Sequence, residues 1–137
     1  SYKYGLDIDL DTLLLCKRLY KDIKIIHDDI MKNNQKILEI INSIKKDETI
    51  LIIMVNWLHE YSESKVNNLV NSILSINRKI IIITDIYQRK ELSKIPENKI
   101  VHNFKDIQND IFFKKVENLD EVRDLAILSN KDIVNFC

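Results

Sequence analysis

The sequence predicts an α/β domain with a mostly parallel sheet, helices on both faces of that sheet and an antiparallel hairpin at its C-terminal end. Short apolar runs alternate with segments of helical periodicity through the first 84 residues. The runs at residues 50–55 and 80–83 are apolar throughout, which is typical of parallel strands buried on both faces. After residue 85 two strand-like segments follow each other with only a short connection, as in a hairpin.

Composition sets limits on the class of protein. A chain of 137 residues with 45% hydrophobic and 31% charged residues fits one compact domain. The 21 Lys and Arg residues balance the 21 Asp and Glu residues, so a nucleic-acid partner is not expected. The apolar runs are far shorter than the roughly 20 residues that span a bilayer, so a membrane partner is not expected either.

Cysteine usage and the start of the sequence indicate a cytoplasmic protein. Cys16 and Cys137 lie far apart and show no metal-ligand spacing, which argues against a zinc site or a disulfide framework. The first residues carry no secretory signal pattern. The sequence therefore predicts a reducing compartment and no bound metal, and it does not indicate an oligomeric state.

The first half of the chain predicts a strand, a helix, a second strand and a second helix. The first strand covers residues 2–6, ends at Asp7 and leads into a helix over residues 11–20. The second strand covers residues 23–26, and apolar side chains then recur at helical spacing over residues 37–44.

The second half begins with a strand at residues 50–55, which we expect to be central and covered by helices on both faces. A helix over residues 62–75 follows, with Ser62 as its N-cap. One apolar stripe of this helix consists of Val66, Leu69, Val70, Ile73 and Leu74. The remaining predicted strands cover residues 79–84, 112–116 and 122–128, the last two forming the hairpin.

Polar residues follow the predicted parallel strands at their carboxyl ends. In open parallel sheets ligands bind at this edge, because the strand-to-helix loops meet there and helix N-termini offer free N–H groups. Caps and turns favour the same residue types, so a structural role remains an alternative for each position. The residues concerned are Asp7, Asp29, residues 56–60 and Asp85.

The residues YGLDID at positions 4–9, followed by a helix, resemble the second-strand motif of class I (Rossmann-like) S-adenosylmethionine-dependent methyltransferases. In that family an acidic residue binds both ribose hydroxyls of the cofactor, and Asp7, with its neighbour Ile8, holds the matching position. A carboxylate suits a vicinal diol because its two oxygens can accept both hydrogen bonds. Asp9 and Asp11 are interpreted as helix-start residues that the helix dipole favours.

A second stretch, IIHDDI at positions 25–30, is similar to the third motif of the same family. There an Asp just past the strand holds the adenine amino group, and an apolar neighbour packs against the ring. The resemblance implies these roles for Asp29 and Ile30. A solvated acidic turn is the structural alternative.

The residues ILIIMVNWLHE at positions 50–60 resemble the fourth motif, which faces the methyl donor and the acceptor. The resemblance implies that Asn56 and Trp57 line the cofactor pocket and that His59 or Glu60 removes a proton from the acceptor. Imidazole titrates near neutrality, although a single His after a strand is more often a hydrogen-bonded structural residue. The second His of an HExxH zinc site is absent.

The resemblance implies methyl transfer from S-adenosylmethionine, in which the protein mainly positions the methyl group in line with the acceptor atom. The neutral net charge favours a small molecule or a sugar as the acceptor.

One motif of the family has no match. The family's strand order is 3-2-1-4-5-7-6, and its first strand leads into a glycine-rich turn, but Gly5 is the only glycine of the sequence. We therefore expect residues 1–137 to form a single Rossmann-like methyltransferase domain that is the C-terminal part of a longer chain. If the strand at residues 2–6 had neighbouring strands from this sequence on both sides, the alignment would be wrong.

Two alternatives remain. Asp7 and Asp9 after a first strand, with Thr84 after a later one, also resemble haloacid dehalogenase-like phosphatases, in which the two Asp act as nucleophile and acid/base. That family expects Thr or Val where Asp11 stands, and Thr12 comes one position late. The other alternative is a non-catalytic Rossmann-like binding module, which loss of the glycine turn would favour.

Overall fold

The structure, a computed structural model, forms two compact units, Ser1–Ser43 and Ile44–Cys137. None of the helices in the described part of the chain is both long enough and apolar enough to cross a membrane. The structure describes residues 3–55, 57–87, 97–104, 107–108, 110–116 and 119–132.

The first unit is a βαβα segment. Its strands β1 (Tyr4–Asp7) and β2 (Lys24–His27) are parallel, with Asp7 opposite His27 at their carboxyl ends. A parallel pair needs a crossover, which the helix α1 (Leu10–Leu19) supplies, and α2 (Gln35–Ser43) follows β2. The predicted alternation is therefore confirmed here. The buried apolar residues of this unit are Leu13, Ile30, Ile37 and Ile41.

The second unit contains a sheet of four strands. The strands are β3 (Ile50–Met54), β4 (Ile80–Tyr87), β5 (Phe112–Val116) and β6 (Arg123–Ser129), in the spatial order β3-β4-β6-β5. Only β3 and β4 are parallel, and β6 runs antiparallel to both β4 and β5. The predicted C-terminal antiparallel hairpin is thus confirmed.

The helix α3 (Glu63–Leu74) connects β3 to β4, preceded by a 3₁₀ turn at Leu58–Glu60. Ser62 caps α3, because its hydroxyl oxygen accepts a hydrogen bond from the backbone N–H of Lys65 at 3.4 Å. All five residues of the predicted apolar stripe are buried. Local pattern and tertiary packing agree in this helix, and both the cap and the stripe are confirmed.

Two expectations about the sheet are wrong. Asp85 does not end the fourth strand, because the antiparallel ladder with β6 pairs it with Leu125 and extends β4 to Tyr87. Nor are both faces of β3 covered among the described residues. Ile50 and Met54 are buried, whereas the opposite face exposes Leu51, Ile53 and Val55 by 54%, 62% and 67%.

The edges of β1 and β3 are open among the residues that the structure describes. There β1 pairs with β2 alone, and β3 pairs with β4 alone. The arrangement that would contradict the methyltransferase alignment, a first strand paired on both sides, is therefore not seen.

Candidate cofactor and acceptor site

Two acidic residues lie at the carboxyl edge of the β1-β2 pair. Asp7 is the last residue of β1, and Asp29 comes two residues after the end of β2 at His27. Because the two strands are parallel and in register at these ends, both carboxylates follow neighbouring strands at the same edge. This is the edge at which open parallel sheets bind ligands.

Local backbone contacts orient the Asp7 carboxylate. Its Oδ1 accepts a hydrogen bond from the N–H of Asp9 at 2.9 Å, and the side chain is half-buried. Its Oδ2 accepts no hydrogen bond from the described residues. The loop is also held by His27, whose Nε2 lies 2.9 Å from the carbonyl oxygen of Ile8. Asp7 is therefore fixed in place with one oxygen left for a ligand.

Asp29 has a similar arrangement. Its Oδ1 accepts hydrogen bonds from the N–H groups of Met31 at 3.1 Å and Lys32 at 3.3 Å, as in an Asx turn. Its Oδ2 has no partner within the described part of the chain. The neighbouring Ile30 is 6% exposed, whereas Ile8 beside Asp7 is 57% exposed. Ile8 therefore offers more apolar surface to a bound ring than Ile30 does.

Asp9 is occupied by the start of α1. Its Oδ1 accepts from the N–H of Asp11 at 3.1 Å, and its Oδ2 accepts from the hydroxyl of Thr12 at 2.7 Å. The hydrogen bond from Thr12 is the main cause that lowers the pKa of Asp9. The interpretation of Asp9 as a helix-start residue is confirmed. A carboxylate held ionised in this way is poorly suited to donate a proton, as the phosphatase alternative requires.

Thr84, the phosphate-holding residue of that alternative, is buried within β4. It is 1% exposed, and its hydroxyl donates to the carbonyl oxygen of Asp85 at 3.3 Å.

The acceptor-facing candidates lie on the 3₁₀ turn after β3. Asn56 lies outside the described residues. Trp57 is half-buried, and its ring meets the ring of Tyr61 edge-on at 5.3 Å. His59 is 5% exposed and packs edge-on against Tyr87, with ring centroids 5.3 Å apart.

Glu60 forms an ion pair network with its neighbours. Its Oε1 lies 3.3 Å from Nε2 of His59 and also accepts a hydrogen bond from the ammonium group of Lys99. The Lys99 hydrogen bond is the main cause that lowers the pKa of Glu60. A lowered pKa makes the carboxylate a weaker base. Glu60 is therefore better suited to orient the His59 ring than to remove a proton itself.

Residues 97–104 form hydrogen bonds with this turn. The sequence patterns did not indicate these contacts. The N–H of Ile100 donates to the carbonyl oxygen of His59 at 2.9 Å, and Nε2 of His102 lies 2.7 Å from that of Leu58. The amide of Asn103 donates to Glu63 at 3.3 Å. These contacts join residues about 40 positions apart, so no local periodicity reports them.

The candidates fall into two sets. Asp7, Ile8, Asp29 and Ile30 belong to the first compact unit, whereas Trp57, His59 and Glu60 belong to the second. Each set occupies loops that directly follow parallel strands. Across the described ranges, no group of three or more His, Cys, Asp or Glu side chains is arranged to hold a metal ion.

Solved structures of methyltransferases resemble the chain. A protein of Thermobifida fusca YX, provisionally assigned as a methyltransferase, has a TM-score of 0.65 and 15% identity over 96% of this chain and 64% of its own. The fold is that of the class I methyltransferases. Magnesium protoporphyrin IX methyltransferase of Synechocystis PCC 6803, with bound S-adenosylmethionine, has a TM-score of 0.60 and 10% identity over 96% of this chain and 60% of its own. A provisionally assigned type 11 methyltransferase of Sulfolobus solfataricus has a TM-score of 0.52 and 16% identity over 96% and 72%.

The strand order within each unit agrees with that fold. The order β3-β4-β6-β5 of the second unit has the pattern of strands 4-5-7-6, and β1 and β2 of the first unit are neighbours, as strands 2 and 3 are. The chain spans less than two thirds of the length of the first two similar structures. No protein-family model matches the sequence. No curated protein is significantly similar to it.

Proposed function

We propose that the protein transfers a methyl group from S-adenosylmethionine to a small-molecule or sugar acceptor. The observation that carries this proposal is the Asp7 carboxylate at the end of β1, oriented by the N–H of Asp9 and with Oδ2 free of described partners. By its resemblance to the family's second-strand motif, Asp7 matches the residue that binds a ribose diol in that family. The donor set fits such a group, since an ionised carboxylate only accepts hydrogen bonds and a diol offers two.

Within this function, Asp7 holds the ribose of the cofactor, with Ile8 beside it, and Asp29 with Ile30 holds the adenine. When bound, S-adenosylmethionine supplies an electrophilic methyl group on sulfur. The protein's own contribution is to bind, to orient and to exclude water, which makes the transfer effectively unimolecular.

On the acceptor side, Asn56 and Trp57 line the pocket next to the cofactor, and His59 is the candidate base. An imidazole removes a proton near neutral pH because its ordinary pKa lies there. Glu60, at 3.3 Å from His59 Nε2, orients that ring while Lys99 keeps the carboxylate ionised. Its proposed role is therefore indirect.

We further propose that residues 1–137 belong to one domain. An additional parallel strand, which carries the glycine-rich turn, completes this domain along the open edge of β3. The edge of β3 that has no partner strand among the described residues supports this. The exposed face of Leu51 and Ile53 agrees with it, because a further parallel strand brings a connecting helix that can cover such a face. The N–H of Ile50 donates to Lys79 on the β4 side, so the alternating N–H groups of Leu51 and Ile53 point to the open edge.

Hydrogen exchange tests the additional strand. In the natural full-length protein the amides of Leu51 and Ile53 are expected to exchange slowly, as paired strand amides do. The amide of Ile52, which faces β4, serves as the internal control because it is protected in either case. Fast exchange at Leu51 and Ile53 beside a protected Ile52 would show an open edge and contradict the additional strand.

Isothermal titration with S-adenosylmethionine tests the cofactor. Asp7→Asn keeps the size of the side chain but removes its charge, and the loss of a charge-assisted hydrogen bond is expected to weaken binding by about 10-fold to 100-fold. Asp22→Asn is the matched control. Asp22 pairs with Lys3 at 3.2 Å at the amino ends of the same two strands, away from the proposed site.

Absence of binding by the wild-type full-length protein would refute the methyltransferase function. The hypothesis of a non-catalytic binding module would then be favoured. Magnesium-dependent phosphate release that Asp7→Asn abolishes would instead support the phosphatase. His59→Gln distinguishes the proposed acceptor-side role from cofactor binding. It is expected to leave the affinity for S-adenosylmethionine within about twofold while it stops S-adenosylhomocysteine formation, because a general base contributes to the chemical step and not to cofactor binding.

A further inference from the structure

His102 makes a long-range contact with the turn that carries the acceptor-side candidates. Its Nε2 lies 2.7 Å from the carbonyl oxygen of Leu58, the first residue of the 3₁₀ turn Leu58–Glu60. His102 is 2% exposed, and Leu58 is fully buried. The same carbonyl oxygen also accepts the N–H of Tyr61 at 3.1 Å, which closes the turn.

The chemistry of this contact determines the tautomer of the ring. A carbonyl oxygen only accepts hydrogen bonds, so Nε2 of His102 must carry the proton and donate it. The other ring nitrogen, Nδ1, is buried and has no hydrogen-bond partner among the described residues. In the neutral Nε2–H tautomer, Nδ1 carries only a lone pair and buries no unpaired N–H.

We infer that His102 is a positioning residue which, as the neutral Nε2–H tautomer, holds the turn carrying Trp57, His59 and Glu60 through the carbonyl oxygen of Leu58. The residue acts through the backbone of Leu58 and not on a substrate. Its relevance to methyl transfer rests on the proposed function. The tautomer of His102 and its hydrogen bond to the turn do not depend on the proposed function.

The surroundings of the ring agree with a neutral state. Burial is the main cause that lowers the pKa of His102, and the positive charge of a protonated His59 acts in the same direction. The backbone groups of Leu58 and Tyr61 and the carboxylate of Glu63 oppose this shift, but the net direction is downward. The ring of Phe104, whose centroid lies 6.2 Å away, adds an apolar neighbour.

Nitrogen-15 NMR of the histidine rings tests the tautomer directly. The sequence contains three His residues, and single substitutions assign their signals. We expect His102 to show a protonated Nε2 and an unprotonated Nδ1 at neutral pH, with a titration midpoint below the ordinary value for His, about 6.5. A protonated Nδ1 at neutral pH, or a midpoint at or above that ordinary value, would overturn the inference.

Trp57, the single tryptophan of the sequence, reports on the turn itself. In the wild type its indole N–H signal marks the turn as His102 holds it. His102→Gln keeps an N–H donor within reach of the Leu58 carbonyl oxygen, so the signal is expected to lie at the wild-type position. In His102→Ala the signal is expected to be displaced at every pH.

Amide exchange at Tyr61 gives a quantitative readout, since its N–H bonds the carbonyl oxygen that His102 holds. Loss of one hydrogen bond in His102→Ala is expected to accelerate this exchange by about tenfold, and His102→Gln is expected to restore it. Asn103→Ala is the matched control. It removes the 3.3 Å hydrogen bond from the same segment to Glu63 and is expected to leave the Trp57 signal unchanged.

If His102→Ala lowers the melting temperature but leaves the Trp57 signal and Tyr61 exchange as in the wild type, His102 has a purely structural role and the inference is wrong. If His102→Ala does not fold, the wild-type titration and His102→Gln still decide the matter. None of these measurements uses S-adenosylmethionine. A protein that fails to bind the cofactor would therefore refute the proposed function and leave the role of His102 in the turn standing.

Discussion

The side-chain amide of Asn130 binds the backbone of Ile80 at the start of β4. Its Oδ1 accepts the N–H of Ile80 at 3.1 Å, and its Nδ2 donates to the carbonyl oxygens of Ile76 at 3.1 Å and Arg78 at 2.6 Å. One side chain just after β6 thus satisfies three backbone groups in the connection between α3 and β4. The neighbouring Ser129 adds a hydrogen bond from its hydroxyl to the carbonyl oxygen of Ile80 at 3.0 Å.

Asn130→Ala is expected to lower the free energy of unfolding by about 2 kcal/mol, because buried backbone groups lose their partners. Asn103→Ala, which removes a single exposed amide hydrogen bond, is expected to cost less than about 1 kcal/mol. Urea unfolding of both variants measures the difference. Equal costs would mean that water replaces the Asn130 amide without loss.

Arg123 bridges one buried and one exposed carboxylate, at 3.0 Å from Asp85 and 2.6 Å from Asp120. The Asp85 side chain is 3% exposed and that of Asp120 is 38% exposed. Arg123→Met leaves a buried charge without this partner and is expected to cost about 2 to 3 kcal/mol, the lower part of the range for buried pairs because Arg123 is partly exposed. Asp120→Asn is expected to cost clearly less, because this carboxylate is exposed to solvent. Chemical denaturation would contradict this reading if the order of the two costs were reversed.

Gly5 tolerates a methyl group but not a larger side chain. An added Cβ would lie 3.2 Å from Cδ1 of Ile23 and 3.7 Å from Cδ2 of Leu13, both ends of side chains that can shift slightly. Gly5→Ala is therefore expected to change stability by less than about 1 kcal/mol, since the reduced freedom of the unfolded chain offsets the crowding. Gly5→Val is expected to lose about 1 to 3 kcal/mol by overpacking. Thermal unfolding of the two variants checks this ranking. A Val variant as stable as the Ala variant would show that the space around Gly5 is larger than these distances indicate.

His102 is expected to make stability depend on pH below about 6.5, the ordinary pKa of His. Because the pKa of His102 is lowered in the folded state, the unfolded chain binds more protons between that lowered value and about 6.5. The free energy of unfolding therefore falls as the pH drops through this window and is fully retained above it. The lowered pKa values of Glu60 and Asp120 act only at more acidic pH, where carboxylates titrate.

Urea midpoints between pH 7.5 and pH 5 measure this dependence in the wild type and in His102→Gln. The variant is expected to show a shallower slope, because Gln does not titrate. Identical slopes in the two proteins would mean that His102 has the same pKa in the folded and unfolded states.

The elements that follow from local pattern were predictable. The five apolar residues of α3 recur at helical spacing and all are buried, and Ser62 precedes them as a cap, because both features depend on residues within one or two turns. The hairpin of β5 and β6 was predictable for the same reason. The placement of Asp7 and Asp29 after their strands also followed from the position of each strand end.

Other features depended on partners far along the chain. Nothing near Asp85 in the sequence indicates that β6 will extend β4 past it, since that extension comes from pairing with residues 123–125. The exposure of Leu51 and Ile53 was equally hidden, because an apolar run has the same pattern whether or not its outer face is covered. Lys99 and His102 lie in a polar stretch that no periodicity distinguishes.

The sequence by itself determined the order of strands and helices, the caps, the hairpin and the acidic residue at the end of β1, because these are set by neighbours a few residues apart. Only the tertiary structure decided the strand order within each sheet, the burial of Asp85 and the link from His102 to Leu58. Those contacts bring together residues far apart in the sequence, such as Ile81 and Ser129, and their energies come from desolvation and hydrogen bonding that exist only once the chain has folded.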